Sequence, residues 1–374
     1  MSSSARPECL IVGAGVIGLS IAEALARSGA QVSVLERSAS CGQGASGAAA
    51  GMLAGGAEAT AADPFQQLCQ ASRQLWPEWA ADLEQTSGVD CELELSGLLR
   101  VTGSEQGARE LERISAWQCE HGVDVSGLLD RAQLAQLVPG LGSLVLAGVH
   151  YRQDGHVHTH RLTEALVSAC LRRGVIIETE TEVTELEIQA DRPRLTVSGG
   201  RQIEADYLVV CAGSWSGEIL PAAAAGALLE PIRGQMVAFD PGRPLIPMIV
   251  FGDHGYLLQK RSGLILAGAT EERVGYQPWP TLEGVSQLTT AAADLVPQLR
   301  QARFASAWAG LRPHARDGWP LLGRTEMGGS LLLATGHYRN GILLAPVTAA
   351  LVARAVLEGV DPPELAPFSP GRLA

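Results

Sequence analysis

Gly13-Ala14-Gly15-Val16-Ile17-Gly18 forms a G-x-G-x-x-G turn, and Glu36 follows Gly18 by 18 residues. After a strand, that spacing suits a dinucleotide. Gly13 permits a tight bend, Gly15 lets backbone approach a pyrophosphate, and Gly18 lets helix and strand pack closely. The helix that follows offers N–H groups and partial positive charge to phosphate, while a carboxylate at Glu36 can accept both hydroxyls of a ribose. A glycine-rich turn of an ordinary α/β fold is the blander alternative. A second group, His156, His158 and His160, alternates, so on a strand three imidazoles would share one face and could ligate a metal. No acid or cysteine stands at ligand spacing beside them, and the run leads straight into a helix, Arg161 to Arg173. Thr159 as that helix's N-cap is the better reading, and no metal is expected.

The elements around the glycine turn are what give it weight. Cys9-Leu10-Ile11-Val12 reads as a buried strand, Leu19 to Ser28 as a helix closed by Gly29, and Gln31 to Leu35 as a second strand ending on Glu36. Gly42 to Gly56 is a tract of small residues, either a flexible linker or backbone that runs flush against a flat ligand; its place after a nucleotide unit favours the latter. Helical spacing covers Pro64 to Leu83, Gly107 to Cys119 and Arg131 to Leu137, with strand-like alternation from Cys91 to Val101. Val175 to Glu178 and Ala205 to Gly213 read as strands, the latter aimed by its C-terminal end at the same nucleotide. Short strands at Gln235–Phe239, Met248–Phe251, Gly255–Gln259 and Leu264–Gly268 predict an antiparallel sheet in a second, inserted domain. Leu282 to Leu299 reads as its closing helix, and Arg303 to Trp308 as the return to the first domain. A strand, Ser330 to Ala334, a polar turn, and a helix, Val347 to Glu358, end the pattern.

Composition narrows the class. The 374 residues carry 28 Lys and Arg against 40 Asp and Glu, a net charge of −12, which disfavours nucleic acid as a partner. Hydrophobic residues at 46% and charged residues at 18% describe a well-buried globular chain. No apolar run reads as a membrane span and residues 1–7 lack a secretory pattern. Seven scattered cysteines without a C-x-x-C pair suit a reduced, cytoplasmic setting.

The glycine turn, Ser46-Gly47-Ala48-Ala49-Ala50-Gly51-Met52-Leu53, Trp308-Ala309-Gly310-Leu311-Arg312-Pro313 and Gly336-His337-Tyr338-Arg339-Asn340-Gly341-Ile342-Leu343-Leu344-Ala345-Pro346 together resemble the D-amino-acid oxidase family of FAD enzymes, over essentially the whole chain. The resemblance implies an α/β fold with a discontinuous, Rossmann-like FAD-binding domain (1–85, 150–220 and 310–374) and an α+β substrate domain on an antiparallel sheet (86–149 and 221–309). It implies non-covalent FAD on Gly13, Gly15, Val16, Ile17 and Gly18, with Glu36 and Arg37 at the adenosine ribose and Val183 at the adenine end. Ala45, Ser46, Ala50, Gly51 and Met52 would cover the pyrophosphate and flavin edge, with Gly213 and Trp215 nearby. His337, Tyr338, Arg339, Asn340, Gly341, Ile342 and Leu343 would meet the flavin ring.

The same resemblance makes Arg312 the partner of a substrate carboxylate, a role its fork of donors and permanent charge suit, with Tyr256, Arg339, His254 and Met52 lining the pocket. No obligatory catalytic base is implied. The implied reaction oxidises glycine or another small primary or secondary amino acid to its imine, then glyoxylate and ammonia, with O₂ reduced to H₂O₂. It further implies a homo-oligomer, such as a tetramer, and hand-off to a thiazole synthase for thiamine. The alternatives are a sarcosine, D-amino-acid or other amine oxidase, a dehydrogenase passing electrons to a carrier, and a non-catalytic nucleotide-binding module. Two departures stand out: Gly44-Ala45-Ser46-Gly47 leaves one hydroxyl where the family has a Thr/Ser run, implying a weaker hold on flavin, and His314 stands where glycine often follows Leu-Arg-Pro.

Overall fold

The computed structural model describes residues 7–189, 192–220 and 229–373. Residues 1–6 of the N-terminal reading, and 221–228 of the substrate segment, lie outside them. Two sheets organise the chain. The first has six strands in the order Leu321–Thr325, Gly328–Thr335, Tyr207–Val210, Glu8–Val12, Gln31–Leu35, Ile176–Glu178; all pair in parallel except the first two, which are antiparallel. Its central strands are apolar on both faces because helices cover one face and a small three-stranded sheet carrying Leu186, Leu195 and Val197 covers the other. Leu10, Ile11 and Val12 are all buried, as are Leu208, Val209 and Val210.

The helix Val16–Arg27 packs on this sheet against two others, Thr159–Arg172 and Gly341–Glu358. The long helix Pro64–Ser87 completes that layer. It starts where Asp63 accepts a bond from Gln66 N at 2.8 Å with Pro64 in the first turn, and it ends at Gly88 in the left-handed region. A small three-stranded sheet, Val183–Gln189, Arg192–Val197 and Gln202–Glu204, realises the β-stretch read after Thr181.

The second sheet has eight strands in the order Arg303–Ala315, Leu229–Asp240, Ile265–Gly268, Gly255–Gln259, Ile249–Gly252, Leu98–Thr102, Ala147–Tyr151, Leu129–Asp130. The expectation of an antiparallel sheet needs one correction, since Ile249–Phe251 runs parallel to Leu98–Arg100. A second correction concerns Arg303 to Trp308. Rather than returning to the first sheet, it opens a 13-residue strand that pairs with Leu229–Asp240 along its length and brings Arg312 with it. Cys91 to Val101 forms a strand only from Leu98, the earlier part making a single bridge from Glu94 to His156.

Helix ends differ in instructive ways. Leu282–Leu295 stops before Pro297, and a 3₁₀ turn, Pro297–Gln301, takes over. The last helix begins at Gly341, six residues before the Val347 start read from sequence, because the backbone group disturbed by Pro346 is satisfied from outside. Ser72 Oγ and Trp76 Nε1 donate to the Leu343 carbonyl at 2.6 and 2.9 Å. That helix, Gly341–Glu358, is long and apolar enough to cross a membrane, which corrects the reading that no such run exists; most of it is buried in the core of this fold. The helix after the histidines spans Thr159–Arg172, and its N-cap is His158, not Thr159. Thr159 Oγ1 instead donates to the Ala49 carbonyl at 3.2 Å, tying the small-residue tract to this helix.

Candidate functional site

A single cavity of ≈ 1100 Å³ runs from the glycine turn to the second sheet. Every residue named above for cofactor or substrate lines it except Gly18 and Leu343. Gly18 lies one layer back, where a β-carbon would stand 2.0 Å from the Gly13 carbonyl oxygen. Leu343 is buried against the long helix through its carbonyl.

At the first-sheet end, Gly13 bends at φ 104°, and a β-carbon there would meet the Cys211 carbonyl at 2.6 Å. Glu36 closes the turn. Its Oε2 accepts from Ala14 N and its Oε1 from Ser38 N, both at 2.9 Å, which fixes the carboxylate at the cavity wall with lone pairs to spare. The helix N-cap, Gly15, offers no side chain to its own N–H groups; Ser46, from the small-residue tract, accepts from Val16 N at 2.9 Å. Arg37 lies over the Trp215 ring, 3.9 Å from its centroid, and Trp215 meets Tyr276 at 5.6 Å. Cys211 lines this end too, but complete burial holds its thiol far above the usual range.

The tract between the two ends is a short helix, Ala45–Ala48, and a strand, Met52–Leu53, so it is a built wall and no linker. Trp308 Nε1 donates to the Ala48 carbonyl at 3.0 Å. Lys260 donates from Nζ to the Ala50 and Val157 carbonyls, each at 2.7 Å. Burial lowers Lys260 to about 7, against the raising influence of Glu92 and Glu94. Asp154, fully buried, accepts from Gly56 N at 2.9 Å and Ala57 N at 2.8 Å, and burial raises its carboxyl to about 6. These anchors hold the segment that carries Met52 and Glu58.

At the second-sheet end Arg312 reaches into the cavity. Its Nη1 donates to the Thr270 carbonyl at 3.0 Å, and it has no ion-pair partner among the described residues. Tyr256 donates its hydroxyl to Met236 Sδ at 3.4 Å and stacks on Phe251 at 5.9 Å. Arg339 pairs with Glu58 at 2.9 Å, a partner nothing in the sequence announced. His254 sits in the turn between two strands of this sheet, at the cavity rim. His337 is fully enclosed, with Nε2 3.1 Å from Thr348 Oγ1; burial lowers it to about 3, so it stays neutral and braces the loop. His314 does not line the cavity but packs edge-on against Tyr338, 4.7 Å between centroids.

The histidine run stays apart from this chemistry. His156 is buried opposite Met52, and His158 and His160 lie 6.0 Å apart. Among the described residues no three His, Cys, Asp or Glu are placed to hold a metal.

An elongated cavity with a helix N-terminus and a carboxylate at one end, and a guanidinium without an ion-pair partner among the described residues at the other, fits FAD with a small carboxylate beyond it. The donor set is right for each portion. Comparison with known proteins agrees. Residues 8–355 match the family described as DAO, FAD dependent oxidoreductase. The chain is 34% identical over 366 residues to a glycine oxidase of Geobacillus kaustophilus, covering 97% of this chain and 96% of that one. It is 36% identical to a bifunctional protein ThiO/ThiG of Trichormus variabilis, covering 96% of this chain and 54% of the relative; the chain thus spans about half the length of that protein. The crystal structure of glycine oxidase from Geobacillus kaustophilus superposes with a TM-score of 0.92 at 32% identity, covering 98% of each chain.

Proposed function

Since this chain belongs to the DAO family of FAD dependent oxidoreductases, we propose that it is a flavoprotein oxidase acting on glycine or a comparably small amino acid. The observation that carries this reading is Arg312, a guanidinium at the cavity wall with no carboxylate partner among the described residues. A free guanidinium in a half-buried pocket selects a carboxylate and holds it in two-point register.

Overall, glycine, O₂ and water give glyoxylate, ammonia and H₂O₂. FAD, when bound, supplies the acceptor for a hydride from the α-carbon and passes two electrons to O₂. The chain's own residues do the positioning. The glycine turn, Ser46 and Glu36 take the phosphate and ribose end, and Arg312 fixes the substrate carboxylate so that its α-C–H is directed along the cavity. Tyr256, Met52 and the Arg339–Glu58 pair limit the space around it. No general base is assigned, because Glu58 is committed to Arg339 and His337 to Thr348.

The division into FAD-binding segments 1–85, 150–220 and 310–374 and substrate segments 86–149 and 221–309 belongs to this proposal, with the strand Arg303–Ala315 spanning one boundary. So do a cytoplasmic setting, assembly into a homo-oligomer, and delivery of the imine to a thiazole-forming partner. Support for the last comes from the relatives named bifunctional ThiO/ThiG, whose length exceeds what this chain covers. The deciding experiment is the spectrum of purified protein before and after anaerobic glycine. Bleached flavin bands support the reading; yellow protein that no small amino acid bleaches would sink it.

A further inference from the structure

Glu271, a carboxylate on the pocket wall next to the Thr270 carbonyl that Arg312 engages, has no ion-pair partner among the described residues. Arg233 and Glu272 face each other across an isolated bridge, with backbone bonds of 2.9 and 3.0 Å in the two directions. The segment Thr270–Glu272 is therefore extended, and its side chains alternate. Thr270 donates to Glu272 Oε1 at 2.5 Å, Gln235 Nε2 donates to the same oxygen at 2.7 Å, and Arg233 pairs with the other. Those two side chains are spent on one face. Glu271, between them, is exposed on the cavity wall and has no ion-pair partner among the described residues.

Its neighbours are the substrate groups. Arg312 donates to the carbonyl of Thr270, the residue adjoining Glu271. Tyr338 is held up at about 12 by burial and then by this carboxylate, which also acts on Arg339 and His314. Charge counting gives the consequence. Asp253 is engaged by Thr102 Oγ1 and Gly103 N, Glu58 offsets Arg339, a bound substrate carboxylate offsets Arg312, and Glu271 remains as negative charge beside the rest of the substrate.

We propose that Glu271 is a specificity-determining residue of this pocket: it favours amino acids whose amine end is unsubstituted or carries a cation, and it turns away those bearing a second carboxylate. This rests on the amino-acid oxidase reading above. Like charges brought together repel, so a site rejects a wrong partner by that repulsion as well as by affinity for the right one.

The test compares holoenzyme with Glu271→Gln and Glu271→Lys on glycine, iminodiacetate and N-(2-aminoethyl)glycine, which differ in the group carried by the amine. We expect kcat/KM for iminodiacetate relative to glycine to rise about tenfold in Glu271→Gln and further in Glu271→Lys, with N-(2-aminoethyl)glycine falling by about as much. Calorimetric dissociation constants for two unreactive anions should move the same way, malonate tightening relative to acetate in both variants. Ratios unchanged in both variants, with glycine still turned over, would overturn the assignment of Glu271 alone. A wild-type protein that oxidises none of the three amines and binds neither anion would overturn the oxidase reading and this inference with it.

Discussion

The guanidinium of Arg312 lies across Gly234 so closely that a β-carbon there would stand 2.3 Å from Nη2 and 2.4 Å from Cζ. Gly234 sits in the strand paired with the one that carries Arg312, and its missing side chain is the floor on which the guanidinium rests. Gly234→Ala should therefore move the end of a flexible side chain while sparing the backbone. We expect KM for glycine to rise about tenfold or more, as for loss of a well-oriented charge pair, with flavin content and Tm close to wild type. Steady-state kinetics beside a thermal scan checks this.

Arg312 itself should matter more. Arg312→Ala removes the only carboxylate fork assigned in the pocket, and kcat/KM should fall by about 10²–10³, equivalent to about 3–4 kcal/mol. Arg312→Lys should recover only part of that loss, because an ammonium keeps the charge and forfeits the two-point geometry. Unaltered glycine kinetics in Arg312→Ala would remove Arg312 from the site.

Glu36 separates cofactor from substrate effects. Its carboxylate already accepts from Ala14 N and Ser38 N, so Glu36→Gln would turn an amide N–H₂ toward a backbone donor and lose charge at the ribose. Flavin affinity should drop about tenfold, read by flavin remaining after dialysis, with the glycine KM of the reloaded enzyme little changed.

Asp154 predicts a pH effect. Burial raises its folded carboxyl from 3.8 to about 6, so the fold retains the proton longer than the unfolded chain does. The stability linked to that proton is complete below pH 4 and is lost as pH rises through 6, up to about 3 kcal/mol for a shift of that size. Asp154→Asn cannot titrate. Measured as Tm against pH, the wild type should therefore lose ground to Asp154→Asn between pH 4 and 7 and run parallel to it above; parallel curves throughout would refute the cause.

What the sequence made legible was local. The turn from Gly13 to Gly18 and its flanking strands obey short-range rules, and the helices after Asp63 and Ser104 carry their own caps. What stayed hidden was decided by chain crossing chain. Arg339 and Glu58 are 281 residues apart, so no spacing rule could join them. Arg303 to Trp308 looked like a return segment because its alternation is consistent with either sheet; the long partner strand Leu229–Asp240 decides the matter. Pro346 masked a helix start for the same reason, since the groups that compensate it come from Ser72 and Trp76. Glu271 carries no signal in the sequence, because what sets it apart, the bridge of Glu272 to Arg233 and the nearness of Arg312, comes from distant strands.

Lys260 is the sole lysine of the chain, and its Nζ is sealed between the Ala50 and Val157 carbonyls. Amine-directed reagents thus have one internal target, reachable only when the wall over the cofactor groove swings away from the second sheet. The rate at which an acylating reagent labels that position, followed by mass, is a clock for such openings. Slower labelling in flavin-loaded protein than in stripped protein would time the breathing of the groove without any engineered probe.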